Sequence, residues 1–480
     1  MDSAAAYLAL KARDARFDGR LFVGVTSTGV YCRPVCRVRT PRQENCRFFG
    51  SAAQAEAAAF RPCLKCRPEI APGLSAMDSS AALADAAARA IEHSVHAGEP
   101  LTLPALAARL GVTDRHLRRI FQAAHGVAPR DYIATQRLLL AKQLLTDTSA
   151  PVTEVALASG FESLRRFNAA FAERYRMNPT RLRRERAGPP AEATLRLAYR
   201  PPYDAAAVLH FFDRRALAGV EQVDGGTLRR TLAVSLQGRS LAGWITLRFV
   251  PARCEVHLQT APSLAPALGQ VLQRVRQALD LDADPARIDP LMALRWPAAA
   301  GEGTRLPGAF DPFETAVRVV LGQQVSVRAA STLAQRLVQA LGQPLDTPFP
   351  ALTHLFPDAP TLAAADPETI GRLGIVRQRV RALQALAGAV AEGRIVLHRG
   401  APLATTLDAL RALPGIGEWT TQMIALRVLA WPDAFPATDI GVLNALGTRD
   451  SGHALAAVEP LRPWRAYAVM RLWQHLETPP

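Results

Sequence analysis

The cysteine pairs Cys32-Arg-Pro-Val-Cys36 and Cys63-Leu-Lys-Cys66 constrain this chain more than any other feature. Thiolates separated by two or three residues can turn onto one ion, and two such pairs supply the four sulfurs of a closed tetrahedral zinc site. The spacing therefore predicts one Zn2+ held by Cys32, Cys36, Cys63 and Cys66. On spacing alone the site is either an inert zinc ribbon or a reactive metal-thiolate centre, and the choice rests on the surrounding residues. The remaining cysteines, Cys46 and Cys254, read as ordinary small residues. Six cysteines in 480 residues, four of them paired for metal, point to a reducing compartment rather than a disulfide framework.

The balance of charge names the partner class. Fifty-seven Lys and Arg against 42 Asp and Glu give a formal charge of +15, which makes a polyanion, by default nucleic acid, the leading partner. No run of eighteen apolar residues occurs, and Met1-Asp-Ser-Ala lacks the basic start and apolar core of a signal peptide. The expectation is a cytoplasmic monomer of two to four domains with no membrane contact. Turn-forming stretches at Pro68 to Ser80 and at Gly188-Pro-Pro-Ala divide the chain into three functional units.

The run Phe22-Val-Gly-Val-Thr-Ser-Thr-Gly-Val-Tyr-Cys32-Arg-Pro-Val-Cys36-Arg-Val-Arg, followed by Phe60-Arg-Pro-Cys63-Leu-Lys-Cys66-Arg-Pro, resembles the amino-terminal domain of Ada-type adaptive-response proteins. The resemblance covers about the first seventy residues and implies a small α/β zinc domain over residues 1–75. It also implies that Cys32 accepts a methyl group from a methylated DNA phosphate. The chemistry agrees, because a metal-bound sulfur stays deprotonated and the thiolate is the nucleophilic form. Methylation then removes negative charge facing the DNA backbone, so affinity for phosphate should rise. Arg33, Arg37, Arg39, Arg61, Lys65 and Arg67 are the expected phosphate-facing collar, with a solvated basic surface as the alternative.

The middle unit contains an internal repeat. Leu117, Phe121 and Pro129 recur fifty residues on as Phe167, Phe171 and Pro179, each set preceded by a helix-breaking glycine, Gly111 and Gly160. Each copy reads as helix, turn, helix. Thr113 caps the second helix of the first copy, whose apolar Leu117, Ile120 and Phe121 leave Arg115, His116, Arg118 and Arg119 outside. The second copy offers Ser163, Leu164, Arg165 and Arg166 in the same way, and Arg130 to Leu145 reads as a connecting helix. Residues 82–185 thereby resemble an AraC-type DNA-binding domain. That resemblance implies an all-α double helix-turn-helix domain whose recognition helices enter successive major grooves about 34 Å apart. Its expected partners are a promoter operator in double-stranded DNA and RNA polymerase.

From about Leu195 onward the signal is catalytic. Ala412-Leu-Pro-Gly415-Ile-Gly417-Glu-Trp places Pro-Gly-Ile-Gly between two apolar helices, a hairpin whose glycines allow close approach of another backbone. Open amides at the start of its second helix make a phosphate site with no base preference. Twenty residues later, Trp431-Pro-Asp-Ala-Phe-Pro-Ala-Thr-Asp439-Ile-Gly resembles the helix-hairpin-helix glycosylase superfamily, and position makes Asp439 its catalytic aspartate. The alternative reading of Asp439 is a helix N-cap before Ile440.

Leu197-Ala-Tyr-Arg-Pro-Pro-Tyr203-Asp, Phe310-Asp-Pro-Phe-Glu, Val320-Leu-Gly-Gln-Gln324 and Trp464-Arg-Ala-Tyr467 extend the likeness to AlkA-type DNA-3-methyladenine glycosylases over nearly all of the last 290 residues. It implies an α+β subdomain with an antiparallel sheet over 194–300 and a helical core over 301–480. It also implies release of alkylated purines flipped out of duplex DNA. An alkylated ring nitrogen already makes the purine a good leaving group, so an ionised Asp439 need only stabilise an oxocarbenium-like transition state and orient water. Trp419 and Trp473 are candidates to hold the cationic base, with Tyr203 and Phe313 behind them. Each of these rings could instead be core packing.

Trp419 stands where superfamily members that also cleave the backbone carry a Schiff-base lysine, so a monofunctional glycosylase is expected. The cysteine set of the iron-sulfur members is missing, and no cluster is expected. The Pro-Cys-His-Arg site of the second Ada methyltransferase domain is absent as well, so repair of the methylated guanine oxygen is not expected. Two departures from the AlkA pattern stand out: Gln324 occupies the place of an inserted apolar wedge, and Met423 that of a pocket tyrosine. The competing reading is a DNA-binding regulator whose glycosylase-like part is not catalytic.

Overall fold

A computed structural model of the chain describes residues 3–13, 21–66, 68, 76–98, 101–147, 151–185, 194–236, 238–295, 302–399, 401 and 403–477. Most of both expected linkers, 68–80 and 188–191, and the collar residue Arg67 lie outside the described residues. The described chain forms two compact units, residues 1–92 with 101–134 and residues 93–100 with 135–480.

The first unit opens with α1 (Ser3–Lys11) and a four-stranded sheet. Its strands β1 (Phe22–Val25), β2 (Val30–Cys32), β3 (Cys46–Phe49) and β4 (Arg61–Pro62) lie in the order β3-β1-β2-β4, with α2 (Ala52–Ala57) between the last two in sequence. Phe22, Tyr31, Ala55 and Phe60 form its core. Gly24 is required there, since a Cβ would fall 2.8 Å from the Phe49 ring and 2.9 Å from that of Phe60. The parallel pairing of β2 with β4 matters most: it sets Tyr31 opposite Pro62, and the Cys63 amide donates to the Tyr31 carbonyl at 3.0 Å. Residues 31 places apart in sequence thus bring Cys32 and Cys63 together.

After α3 (Ala76–Ala97) come α4 (Leu103–Arg109) and α5 (Asp114–His125), the first helix-turn-helix. Thr113 accepts from the His116 amide at 3.2 Å, and Leu117, Ile120 and Phe121 are buried while Arg115, Arg118 and Arg119 face solvent. The helix α6 (Pro129–Asp147) follows as one uninterrupted element, then α7 (Val152–Ala158), α8 (Leu164–Tyr175) and α9 (Pro179–Glu185). Ser163 caps α8 through the Arg166 amide at 3.3 Å, Phe167 and Phe171 are buried, and Arg165 and Arg166 are exposed. The two copies are built alike because the same spacing buries the same two ring or leucine positions in each.

The remaining chain begins with an antiparallel five-stranded sheet. Its strands are β5 (Leu195–Ala198), β6 (Glu221–Asp224), β7 (Thr227–Leu236), β8 (Arg239–Val250) and β9 (Glu255–Thr260) in the order β5-β9-β8-β7-β6, with α10 (Ala205–Asp213) between the first two in sequence. Gly225 and Gly226, both at positive φ, make the two-residue turn between β6 and β7. Next come α11 (Leu268–Ala278), α12 (Pro285–Arg295), α13 (Pro312–Leu321), α14 (Val327–Leu341), α15 (Ala359–Ala364), α16 (Pro367–Arg372), α17 (Arg377–Ala391), α18 (Leu403–Arg411), α19 (Glu418–Arg427), α20 (Ile440–Ala445), α21 (Ser451–Val458) and α22 (Arg465–Glu477). At the centre is α13. Asp311 caps it through the Glu314 amide at 2.9 Å, Pro312 starts it, and seven of its ten residues are buried against neighbours that include α17 and α19. Among the described residues no helix is long and apolar enough to cross a membrane.

Candidate active site and metal centre

The four cysteines converge. Their Sγ atoms all lie within 4.8 Å of one another and all four residues are buried, a set sized for a tetrahedral ion whose sulfurs stand about 3.8 Å apart. Left to themselves such sulfurs cannot all ionise: hydrogen bonding to Cys36, then to Cys66, pushes the Cys32 thiol up, while Cys36, bonded by Cys32 and Cys66, is pulled down to about 2. A divalent cation resolves that conflict, so the donor set fits Zn2+. Cys32 keeps 6% of its surface exposed and Cys66 none.

The collar needs one correction. Arg37, Arg39, Arg61 and Lys65 are exposed, but Arg33 is only 1% exposed and lines a small internal space with Leu10, Val23, Cys32 and Cys36. It follows Cys32 directly off the end of β2, and the chain turns inward there. On the first recognition helix Arg118 is paired with Asp114 at 2.9 Å, and Arg119 meets the His116 ring at 3.0 Å. On the second, Arg166 pairs with Glu162 at 2.9 Å. These exposed pairs are worth little and can be exchanged for phosphate.

Between the sheet subdomain and the helical core of the last 290 residues lies a cavity of about 1140 Å³. The hairpin, Asp439, Trp419, Trp473 and Gln324 all line it. Gly415 has φ +77° and packs so closely on α17 that a Cβ would fall 3.0 Å from that of Ala382. Gln323, two residues past the end of α13, locks the bend, its amide donating to the Gly415 carbonyl at 2.8 Å and to Thr420 Oγ1 at 2.9 Å. Gly417 caps α19 with its backbone exposed, leaving the first amides of that helix open.

Asp439 is the N-cap of α20 and also lines the cavity. Its Oδ1 caps α20 by accepting from the Val442 amide at 3.0 Å, and also accepts from Trp473 Nε1 at 2.9 Å. Its Oδ2 accepts from Trp419 Nε1 at 3.0 Å. The carboxylate is 8% exposed, held by three donors at the cavity wall. Gly441, two residues on, packs tightly on the Trp473 ring, which a Cβ would meet at 3.1 Å. Gln324 is exposed at the cavity with φ +53°, a left-handed conformation that costs a non-glycine residue about 1 kcal/mol or more.

Tyr203 and Phe313 are not brought to the cavity. Tyr203 donates to the Leu279 carbonyl at 2.7 Å, and the Arg305 guanidinium covers its ring at 4.4 Å. Its hydroxyl and ring are thereby engaged away from the residues that line the cavity. Conversely, a charged inner wall joins Glu314, the last residue of the Phe310-Asp-Pro-Phe-Glu run, to arginines that no motif marks. Arg230 bonds Glu221 at 3.0 Å and Glu314 at 2.5 Å, and Arg318 bonds Glu314 at 2.9 Å. Arg215 and Arg427 stack on the Phe211 ring at 3.8 and 4.5 Å. Burial, with Arg215 and Arg318 nearby, lowers the Arg427 guanidinium well below its ordinary range. The one sequence signal for Arg427 is its spacing of eight from Trp419, through Met423.

Family models match four stretches of the chain. They are the metal binding domain of Ada over residues 5–69, a helix-turn-helix domain over 106–185, the AlkA N-terminal domain over 194–311 and the HhH-GPD superfamily of base excision DNA repair proteins over 317–453. The chain is 39% identical over 490 residues to the "Probable bifunctional transcriptional activator/DNA repair enzyme AlkA" of Mycobacterium tuberculosis strain H37Rv, covering 98% of this chain and 96% of that protein. It is 34% identical to DNA-3-methyladenine glycosylase 2 of Escherichia coli K12 over 58% of this chain and 95% of that enzyme. It is also 35% identical to the bifunctional transcriptional activator/DNA repair enzyme Ada of the same organism, over 31% of this chain and 40% of that protein. With all four domains in one chain and a relative matched end to end, the chain belongs to the family of bifunctional transcriptional activators and DNA-3-methyladenine glycosylases.

Proposed function

We propose that Asp439 is the carboxylate by which this chain hydrolyses the N-glycosidic bond of alkylated purines such as 3-methyladenine. The observation that carries the reading is its setting: a carboxylate fixed by two indole N–H groups on the wall of a cavity that the hairpin also lines. The hairpin amides grip a phosphate, and the flipped nucleotide enters the cavity with Gln324 filling the gap it leaves. Asp439 then faces the positive charge that develops on the sugar and orients the attacking water. Trp419 and Trp473 bound the space for the base. With tryptophan rather than lysine at position 419, water is the nucleophile and an abasic site remains. Base release from methylated duplex DNA, compared between wild type and Asp439→Asn, tests this: equal, negligible release from both would leave a regulator with a passive DNA-binding module.

At the other end, Cys32 Sγ takes the methyl group of a DNA phosphotriester, giving a thioether and a phosphodiester anion. Zinc, when bound, keeps the four sulfurs deprotonated and the domain closed. Arg37, Arg39, Arg61 and Lys65 face the backbone, and the arginines of α5 and α8 read or clamp a promoter operator for an RNA polymerase partner. The protein acts as a cytoplasmic monomer. A mass increase of one methyl on the Cys32 peptide, after incubation with DNA bearing methyl phosphotriesters, supports the sensor role; its absence removes it.

A further inference from the structure

Trp419, Met423 and Arg427 recur every fourth residue along α19, so their side chains share one face of the helix, and all three line the cavity. Trp419 marks the end that holds Asp439. Arg427 stands eight residues, about 12 Å of helix rise, beyond it. Helical side chains lean toward the amino end of their helix, a lean that would carry the long arm of Arg427 back along the stripe toward Met423. A purine whose sugar lies at Asp439 would extend along this face, with the edge remote from the sugar toward the arginine.

The guanidinium is fixed in place. Its Nε donates to the Pro307 carbonyl at 2.8 Å and its plane covers the Phe211 ring at 4.5 Å, while Arg215 covers the same ring at 3.8 Å. With Nε engaged, the two Nη nitrogens have no hydrogen-bond partner among the described residues. Arg427 therefore presents a held, parallel pair of donors to the cavity. Phe211, covered by two guanidinium groups, is a support for them rather than a stacking platform for the base.

We propose that Arg427 is a specificity-determining residue of the base pocket: its paired Nη groups read a purine edge carrying two adjacent acceptors, O6 and N7, and so favour N3-alkylated guanine over N3-alkylated adenine. The fork matches that edge bidentately. In the adenine lesion the N6 amino group sets donors against donors, and an unmatched N–H out of water is costly. Both lesions carry the same alkyl group and the same positive charge, so the repulsion between a cationic base and Arg215, Arg318 and Arg427 cancels in the comparison. The inference rests on the proposal that this cavity receives the flipped base.

One digest tests it. Duplex DNA treated with dimethyl sulfate contains both 3-methyladenine and 3-methylguanine, and chromatography of the released bases gives both rates for wild type, Arg427→Met and Arg427→Lys. The expected result is a fall in the guanine-to-adenine ratio of about 5- to 150-fold in Arg427→Met, with Arg427→Lys, a point donor without the fork, in between. An unchanged ratio overturns the inference even if both rates drop, because loss of the Pro307 bond or the Phe211 packing acts on both lesions alike. Should Arg427→Met be insoluble, the ratio for Arg427→Lys decides the matter by the same criterion. Wild-type protein that releases neither base defeats the excision reading itself, whereas release at a fixed ratio defeats only the role of Arg427.

Discussion

Glu314→Gln is the substitution whose cost the structure specifies best. Glu314 lies on α13 with 2% of its side chain exposed, accepting from Arg230 of β7 at 2.5 Å and from Arg318 at 2.9 Å. Glu221, bonded to the far side of Arg230 at 3.0 Å, shares the work of balancing these arginines. Glutamine has the same shape but removes one of the two carboxylates, leaving a buried guanidinium under-compensated. Breaking a buried pair from one side costs about 3–5 kcal/mol, which for a domain of this size lowers the melting temperature by about 6–20 °C. Burial alone would push the Glu314 carboxyl up, but Arg230 and Arg318 outweigh it and hold its pKa below the ordinary 4.5. A carboxyl depressed in the fold contributes stability that is present above pH 4.5 and lost as pH falls through its folded value. Thermal melts of both proteins from pH 3 to 7 should therefore converge at the acid end. A Glu314→Gln protein within 1 kcal/mol of wild type at neutral pH would refute the reasoning.

Three further outcomes are expected. Asp280, whose carboxylate accepts from Tyr467 at 2.7 Å and from the Leu306 amide at 3.0 Å, is raised to about 6 by burial. An acid raised in the fold stabilises it fully below pH 3.8 and ceases to do so as pH rises through 6, by about 3 kcal/mol at most, so Asp280→Asn should flatten the pH dependence of stability across that window. Gly415→Ala forces alanine to φ +77° at about 1–2 kcal/mol and presses a methyl on Ala382, so fluorescence anisotropy should show about tenfold weaker binding to undamaged duplex. Removing zinc with a chelator under reducing conditions should abolish hydrogen-exchange protection of residues 21–66, whose four sulfurs lose the ion they surround, while the melting of the glycosylase region stays unchanged.

What could be read from the sequence was local. Each cysteine pair, the Leu117/Phe121 and Phe167/Phe171 spacings, and Pro-Gly-Ile-Gly fit within a turn or a helix, where spacing dictates geometry. What escaped was set by partners far away in the chain. Arg33 follows a metal-site cysteine just as the exposed Arg37 does, yet it is 1% exposed. Tyr203 sits in a motif shared with the glycosylases, yet its hydroxyl is committed to Leu279, 76 residues on. The ion pair at the inner wall of the cavity was invisible for the same reason, since Arg230 and Glu314 meet across 84 residues. Arg427 is the exception, because its fourfold spacing from Trp419 and Met423 was open to a helical reading.

The most direct test of the central claim is a single-turnover measurement of base release from a duplex with one 3-methyladenine, for wild type and Asp439→Asn, alongside binding to an uncleavable abasic mimic. Asparagine keeps the cap on the Val442 amide but not the charge, and must turn one N–H group toward an indole N–H. The account predicts binding within a few-fold of wild type and release slowed about 100-fold or more. Release at a near wild-type rate, with binding intact, would contradict it.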